Sequence, residues 1–194
     1  TNEIVWGTPH LFAIFLIVAA SGALNLASIG TVFGKTPYQP LGRFSGLLAV
    51  ALLVGGLLVL VLDLGRPDRL IVAMTTYNFR SIFAWNVLLY TGFVAIVIAY
   101  LVTMMDRRLK GYYKAAGTLA FTWRLLLTTG TGSIFGFIVA RQAYDTAVLA
   151  PMFIVMSFLY GLAVFILVLM FACAQDDRPI GAYLLNRLKG LMAI

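Results

Sequence analysis

Asp63, Arg66, Asp68 and Arg69 set four ionisable side chains within seven positions, directly after 19 uncharged residues from Phe44 to Leu62. Gly65 frees the backbone and Pro67 cannot continue the interior of a helix, so the same stretch is a helix exit. Carboxylates and arginines this close can form geometrically specific pairs, and a carboxylate held in such a cluster can also exchange protons. A second candidate is His10, the one histidine among 194 residues. An imidazole is the side-chain type that gives up and recovers a proton near neutral pH. Arg80, Arg141 and Asp145 complete the inventory of charges that border uncharged runs on the same side of the chain.

The elements that must position these residues are membrane helices. Hydrophobic residues make up 62% of the chain and charged ones 11%, with a mean hydropathy of +0.98, against about 25% charged in soluble domains. The fold class is therefore all-α, a polytopic transmembrane bundle in a single domain over residues 1–194. About five helices are expected, at 11–33, 44–63, 81–105, 117–140 and 149–174, with a tail at 176–194 that is cytoplasmic or starts a further helix. Thr8-Pro9 is a start signal for the first. The uncharged run holding the fifth exceeds one span, which implies a tilted helix or some loop. No signal peptide is expected, since Ile4 to Gly34 is too long for one and lacks a preceding basic residue.

Counting basic residues on alternate sides sets the orientation. Lys35, Arg43, Arg107, Arg108, Lys110, Lys114, Arg178, Arg187 and Lys189 fall on one side, and Arg66, Arg69, Arg80 and Arg141 on the other. The richer side is placed in the cytoplasm. His10, Asp63 to Arg69, Arg80, Arg141 and Asp145 then share one outer boundary. The net charge of +7 is read as loop charge that orients the chain in its lipid membrane, not as a footprint for nucleic acid.

Other features have mainly structural readings. His10, Ser21, Asn25 and Ser28 fall in one narrow sector of the first helix and should face protein, where Ala19 to Ala23 also forms a close-contact surface. At most the polar stripe could order water along a proton path. Arg124, beside Trp123, is expected near an interface with its side chain snorkelling to water. Gly132 and Gly136 read as a packing face and not as a phosphate loop, having no preceding strand or following Lys-Ser/Thr. One cysteine, Cys173, and one histidine exclude an internal disulfide, a cysteine-ligated iron–sulfur cluster and a bis-histidine haem within this chain. No metal-ligand spacing and no nucleophile–base pair is present. An interfacial pocket with one imidazole and several charges suits a quinone, whose ring enters from lipid while its carbonyls need donors and, on reduction, protons.

Val5-Trp6-Gly7, the run Ala19 to Ala23, Leu62-Asp63-Leu64-Gly65-Arg66-Pro67 and Ala150-Pro151-Met152-Phe153 together resemble the NrfD/PsrC family of respiratory membrane subunits. The resemblance covers essentially the whole chain, and the Leu-Asp-Leu-Gly-Arg-Pro segment is its most specific part. It implies a quinone-interacting helix bundle in the bacterial inner membrane with a periplasmic N-terminus. It also implies a quinone, menaquinone or ubiquinone, near the periplasmic face, and electron exchange with an iron–sulfur subunit that serves a molybdopterin or multihaem subunit. His10 matches the family's histidine contact and Asp63 its acidic residue; Arg66 and Arg80 are grouped with them as quinone-site residues. Family members usually have eight or more helices, so the chain reads as a shortened or partial copy. Two other readings stay open on the residues alone: a membrane anchor whose charge cluster docks a redox partner, and a transporter, which would need polar pairs at mid-membrane.

Overall fold

A computed structural model describes residues 7–63, 82–136, 146–176 and 181–192. They are helical throughout except for short connections. The first span consists of α1 (Thr8–Ala23) and α2 (Asn25–Thr31), with Pro9 in the opening turn where its missing N–H costs nothing. A 3₁₀ turn at Thr36–Leu41 leads into α3 (Gly42–Asp63). Then come α4 (Ile82–Met105), a 3₁₀ turn at Arg107–Tyr112 and α5 (Tyr113–Gly136). α6 (Leu149–Gln175) and α7 (Ala182–Met192) close the described chain. The long fifth run is helix over all 27 residues of α6, with no loop inside it.

Four of these segments are long and apolar enough to cross a membrane: Thr8–Thr31, Thr36–Leu62, Ala84–Met105 and Leu149–Gln175. α5 matches them in length, but its threonines, Lys114 and Arg124 lower its apolarity. Several of those polar residues point inward: Arg124, Thr128 and Thr131 are all buried. The outer surfaces are apolar, with Leu58, Val155 and Leu167 each more than half exposed. That is the arrangement expected where lipid replaces water.

The bundle is built around its first span. α1 packs along α3 and α6 and also meets α5, while α4 lies between α3 and α5. Small residues make this possible, because Ala19, Ala20, Ser21, Gly22 and Ala23 are all buried and let neighbouring backbones approach. A β-carbon on Gly22 would lie 2.9 Å from Gly161 Cα of α6. Gly56 of α3 is similarly close to α1, its added β-carbon falling 3.1 Å from the Ala13 carbonyl oxygen. The glycine pair Gly132 and Gly136 does pack as a helix face, lying against Ala150 and Thr146 at the entry to α6.

At Leu24 the first span departs from regular α-helix, and α3 fills the gap. Ser45 Oγ accepts the Ala27 N–H at 3.1 Å and donates to the Ala23 carbonyl at 2.6 Å. A continuous α-helix would pair those two backbone groups with each other. The buried hydroxyl stands in for that bond, which in hydrocarbon is costly to leave unmade. Further along, Tyr100 Oη donates to the Ala27 carbonyl at 3.2 Å and meets Thr31, whose hydroxyl donates to Tyr113 Oη at 2.8 Å. Tyr100 and Tyr113 stack with centroids 5.8 Å apart. This cluster ties α2, α4 and α5 at one end of the bundle. α7 docks beside it, burying Leu188 against Leu26, Tyr38, Phe165 and Ile166.

Candidate functional site

The antiparallel register of α1 and α3 sets the relation between the two main candidates. Ser45 bonds to Ala23 and Ala27, and eleven residues later Gly56 packs on Ala13 and Ile17. Continued to its end, the same register brings the backbone of Asp63, the last residue of α3, level with the first turn of α1, where His10 sits. His10 is half-buried, and its neighbours Leu11 and Phe12 are 69% and 56% exposed. An imidazole therefore lies beside an apolar approach at the end of the bundle that α3 closes with a carboxylate residue. The Asp63 side chain, Arg66, Asp68, Arg69, Arg80, Arg141 and Asp145 lie outside the described residues.

The polar stripe of the first span turns inward. Ser21, Asn25 and Ser28 are all buried. Ser21 Oγ and Thr128 Oγ1 are 2.7 Å apart, and Thr128 donates to the Arg124 carbonyl at 2.7 Å. Ser28 donates to the Leu24 carbonyl of its own span. Thr131 lies 3.4 Å from Tyr90 Oη, and Asn86 Nδ2 donates to the Gly130 carbonyl at 3.3 Å. A row of hydroxyls and amides thus runs between α1, α4 and α5. It can hold water and fix helix contacts, but hydroxyls and amides do not store a proton. Sequence reasoning did not single out Ser45, Tyr90, Tyr100 or Thr128; the signal for the last lies in the spacing of Thr128 and Thr131, which share one face of α5 with Arg124.

Arg124 corrects an expectation. It does not snorkel at an interface: it is fully buried, eleven residues into α5, or about 16 Å along the helix. Its guanidinium carbon lies 5.1 Å from the Phe121 ring centroid and 4.4 Å from that of Phe158. Trp123 is no interface marker either. Its indole N–H donates to the Leu89 carbonyl at 2.9 Å, and its ring fills the space that Gly92 leaves on α4. Adjacent residues on a helix point about 100° apart, so the two side chains serve different contacts.

Among the described residues no three His, Cys, Asp or Glu side chains are grouped to hold a metal ion. A cavity of about 630 Å³ lies between the first span, α6 and the end of α7, with Asn25 and Phe158 in its wall. It is remote from His10, toward the other end of the first span.

Comparison with known proteins places this arrangement. The family model described as polysulphide reductase, NrfD, matches residues 1–194. The sequence is 28% identical over its whole length to an Hdr-like menaquinol oxidoreductase integral membrane subunit of Archaeoglobus fulgidus, covering 49% of that protein. It is 29% identical over 86% of its length to a putative dimethyl sulfoxide reductase membrane subunit of Halobacterium salinarum, of which the match covers 43%. A membrane relative from Wolinella succinogenes, named as one chain of a polysulfide reductase, is 24% identical over 73% of the sequence, with 49% of the relative covered. The protein spans about half the length of these relatives. No solved structure gives a significant match.

Proposed function

The chain belongs to the polysulphide reductase NrfD family, and from that premise we propose that it is the quinone-reactive membrane subunit of a multi-subunit redox complex. The observation that carries this reading is the common level of His10 and Asp63 at one end of the α1–α3 pair. The residues fit a quinone: a half-buried imidazole for a carbonyl or hydroxyl oxygen, and exposed Leu11 and Phe12 for an apolar ring arriving from lipid.

A quinol, when bound, supplies two electrons and releases two protons. In this reading His10 holds one ring oxygen by a hydrogen bond and takes a proton at its imidazole. Asp63 takes a proton at its carboxylate and passes it to water at the membrane surface. Arg66 and Arg80 orient that carboxylate, and Arg69 belongs to the same cluster. The electrons leave for a partner, because a protein with one Cys and one His cannot itself ligate an iron–sulfur cluster or a bis-histidine haem. That partner is an iron–sulfur subunit docked on the same face, linked onward to a molybdopterin or multihaem subunit. The names of the Archaeoglobus, Halobacterium and Wolinella relatives support a membrane subunit of such a complex, and the first of them supports menaquinol as the donor. The site faces the periplasm of a bacterial cytoplasmic membrane.

The test is His10→Leu in the assembled complex. General acid–base groups contribute about 10²–10⁴-fold, so quinol-linked turnover should fall by roughly 100-fold or more. Dye-linked activity of the soluble subunits should not change. Quinol turnover at the parent rate would overturn the assignment.

A further inference from the structure

Arg124 is a cation in the wrong medium. Among the described residues none of its three guanidinium nitrogens has a hydrogen-bond partner, and the residue is fully buried. Helical side chains lean toward the N-terminus of their helix, which carries the guanidinium from its mid-span position onto Phe121, one turn back. The rings of Phe121 and Phe158 attract the charge through their faces but supply no acceptor for its five N–H groups. An arginine this deep is expected to pair.

A second orphan lies nearby. Asn25 is 7% exposed, and neither its amide nitrogen nor its amide oxygen has a partner among the described residues. Phe158 connects the two residues, since its ring stacks on Arg124 and lines the 630 Å³ cavity together with Asn25. The remaining wall, including Gly22, Leu26, Leu159 and Leu162, is apolar. The cavity is open on the outside of the bundle, where Val155 is 69% and Phe158 45% exposed.

We propose that this cavity is a docking groove for a membrane-spanning helix that carries an aspartate or glutamate, whose carboxylate reaches past Phe158 to Arg124 and accepts the Asn25 amide N–H. Charge complementarity selects the occupant. A neutral ring oxygen leaves the cation uncompensated, and the phosphates and esters of lipids lie at the ends of a hydrocarbon core about 30 Å thick, not near its centre. A carboxylate at that depth has to come on a helix. A second copy of residues 1–194 does not supply it, because all seven acidic residues flank the apolar runs. An arginine–carboxylate pair satisfies both charges in one bidentate contact.

The inference does not depend on the quinone reading, and its test uses the full-length protein in its native complex. With Val155→p-benzoylphenylalanine, irradiation in membranes should give an adduct on a spanning peptide that has an Asp or Glu within one turn of the attachment. An adduct on lipid or quinone alone, or on a helix without an acid, overturns the proposal. Arg124→Met should then strand the partner acid and lower the yield of intact complex at least tenfold, and Arg124→Lys should lower it less. Neutralising the identified acid in the Arg124→Met background should restore the yield. If Arg124→Met alone leaves the yield unchanged or raises it, Arg124 has no buried counter-charge and the proposal fails.

Discussion

Gly22 and Gly161 bring the backbones of α1 and α6 into direct contact. A β-carbon on Gly22 would lie 2.9 Å from Gly161 Cα and nearer still to the Ser157 carbonyl, and one on Gly161 would strike Gly22 itself. Both neighbours are main chain, so no rotamer change relieves the clash. Gly161→Leu should destabilise the bundle by about 3 kcal/mol or more, read as loss of folded yield and a lower unfolding temperature in detergent. Gly55→Ala is the matched control. That glycine lies in α3 with nothing within 4 Å of an added β-carbon, and the change should be neutral or stabilise by up to about 1 kcal/mol through helix propensity.

Ser45 replaces a backbone hydrogen bond at the irregular turn of the first span. Ser45→Ala removes a donor and an acceptor together, leaving the Ala27 N–H and Ala23 carbonyl to find each other or stay unpaired. A cost of about 1–3 kcal/mol is expected. Amide exchange at Ala27 should rise with it. Unaltered exchange would mean that α1 and α2 close into a regular helix without the hydroxyl.

Tyr100 and Thr31 should behave as one unit. Tyr100→Phe loses the bond to the Ala27 carbonyl and the contact with Thr31, at about 1 kcal/mol. Thr31→Val should cost a similar amount. The double variant should cost less than the sum, since the two side chains share partners. Strict additivity in a denaturation cycle would show that the hydroxyls act separately.

Asp63→Asn keeps the size of the side chain and removes its capacity to take a proton at a carboxylate. Under the proposed function it should lower quinol-linked turnover about 10²-fold or more while complex assembly stays intact. Equal loss of assembly and turnover would assign Asp63 to docking instead, the reading in which the charge cluster is only an anchor.

The helical bundle was legible in the sequence because its signals are coarse and additive: long uncharged runs, prolines at the entry to helices, and small residues wherever two helices touch. Ala19 to Ala23, Gly132 and Gly136 all pack as their size implies. Side-chain depth was less legible. Trp123 and Arg124 carry the composition of an interface, yet one hydrogen-bonds to α4 and the other is fully enclosed, because the neighbours that cover them come from distant parts of the sequence. Ser45 could not be picked out for the same reason: what gives it meaning is an irregularity in another helix. The level shared by His10 and Asp63 was legible, since antiparallel helices of similar length must bring the start of one to the end of the other.

The enclosure of α1 and α2 has a consequence for biogenesis. The share of the span buried within the protein is 72% for Thr8–Thr31 and 17% for Leu149–Gln175. The earliest of the described spans to leave the ribosome is therefore the one that finishes most completely surrounded. Gly161, the residue that seals Gly22, is synthesised on the order of ten seconds later at translation rates of about 5–20 residues per second. Through that interval the Ser21 and Asn25 face has no α5 or α6 to cover it. A cell must shelter that face, in the insertion machinery or against a membrane chaperone, until the last wall of the bundle arrives.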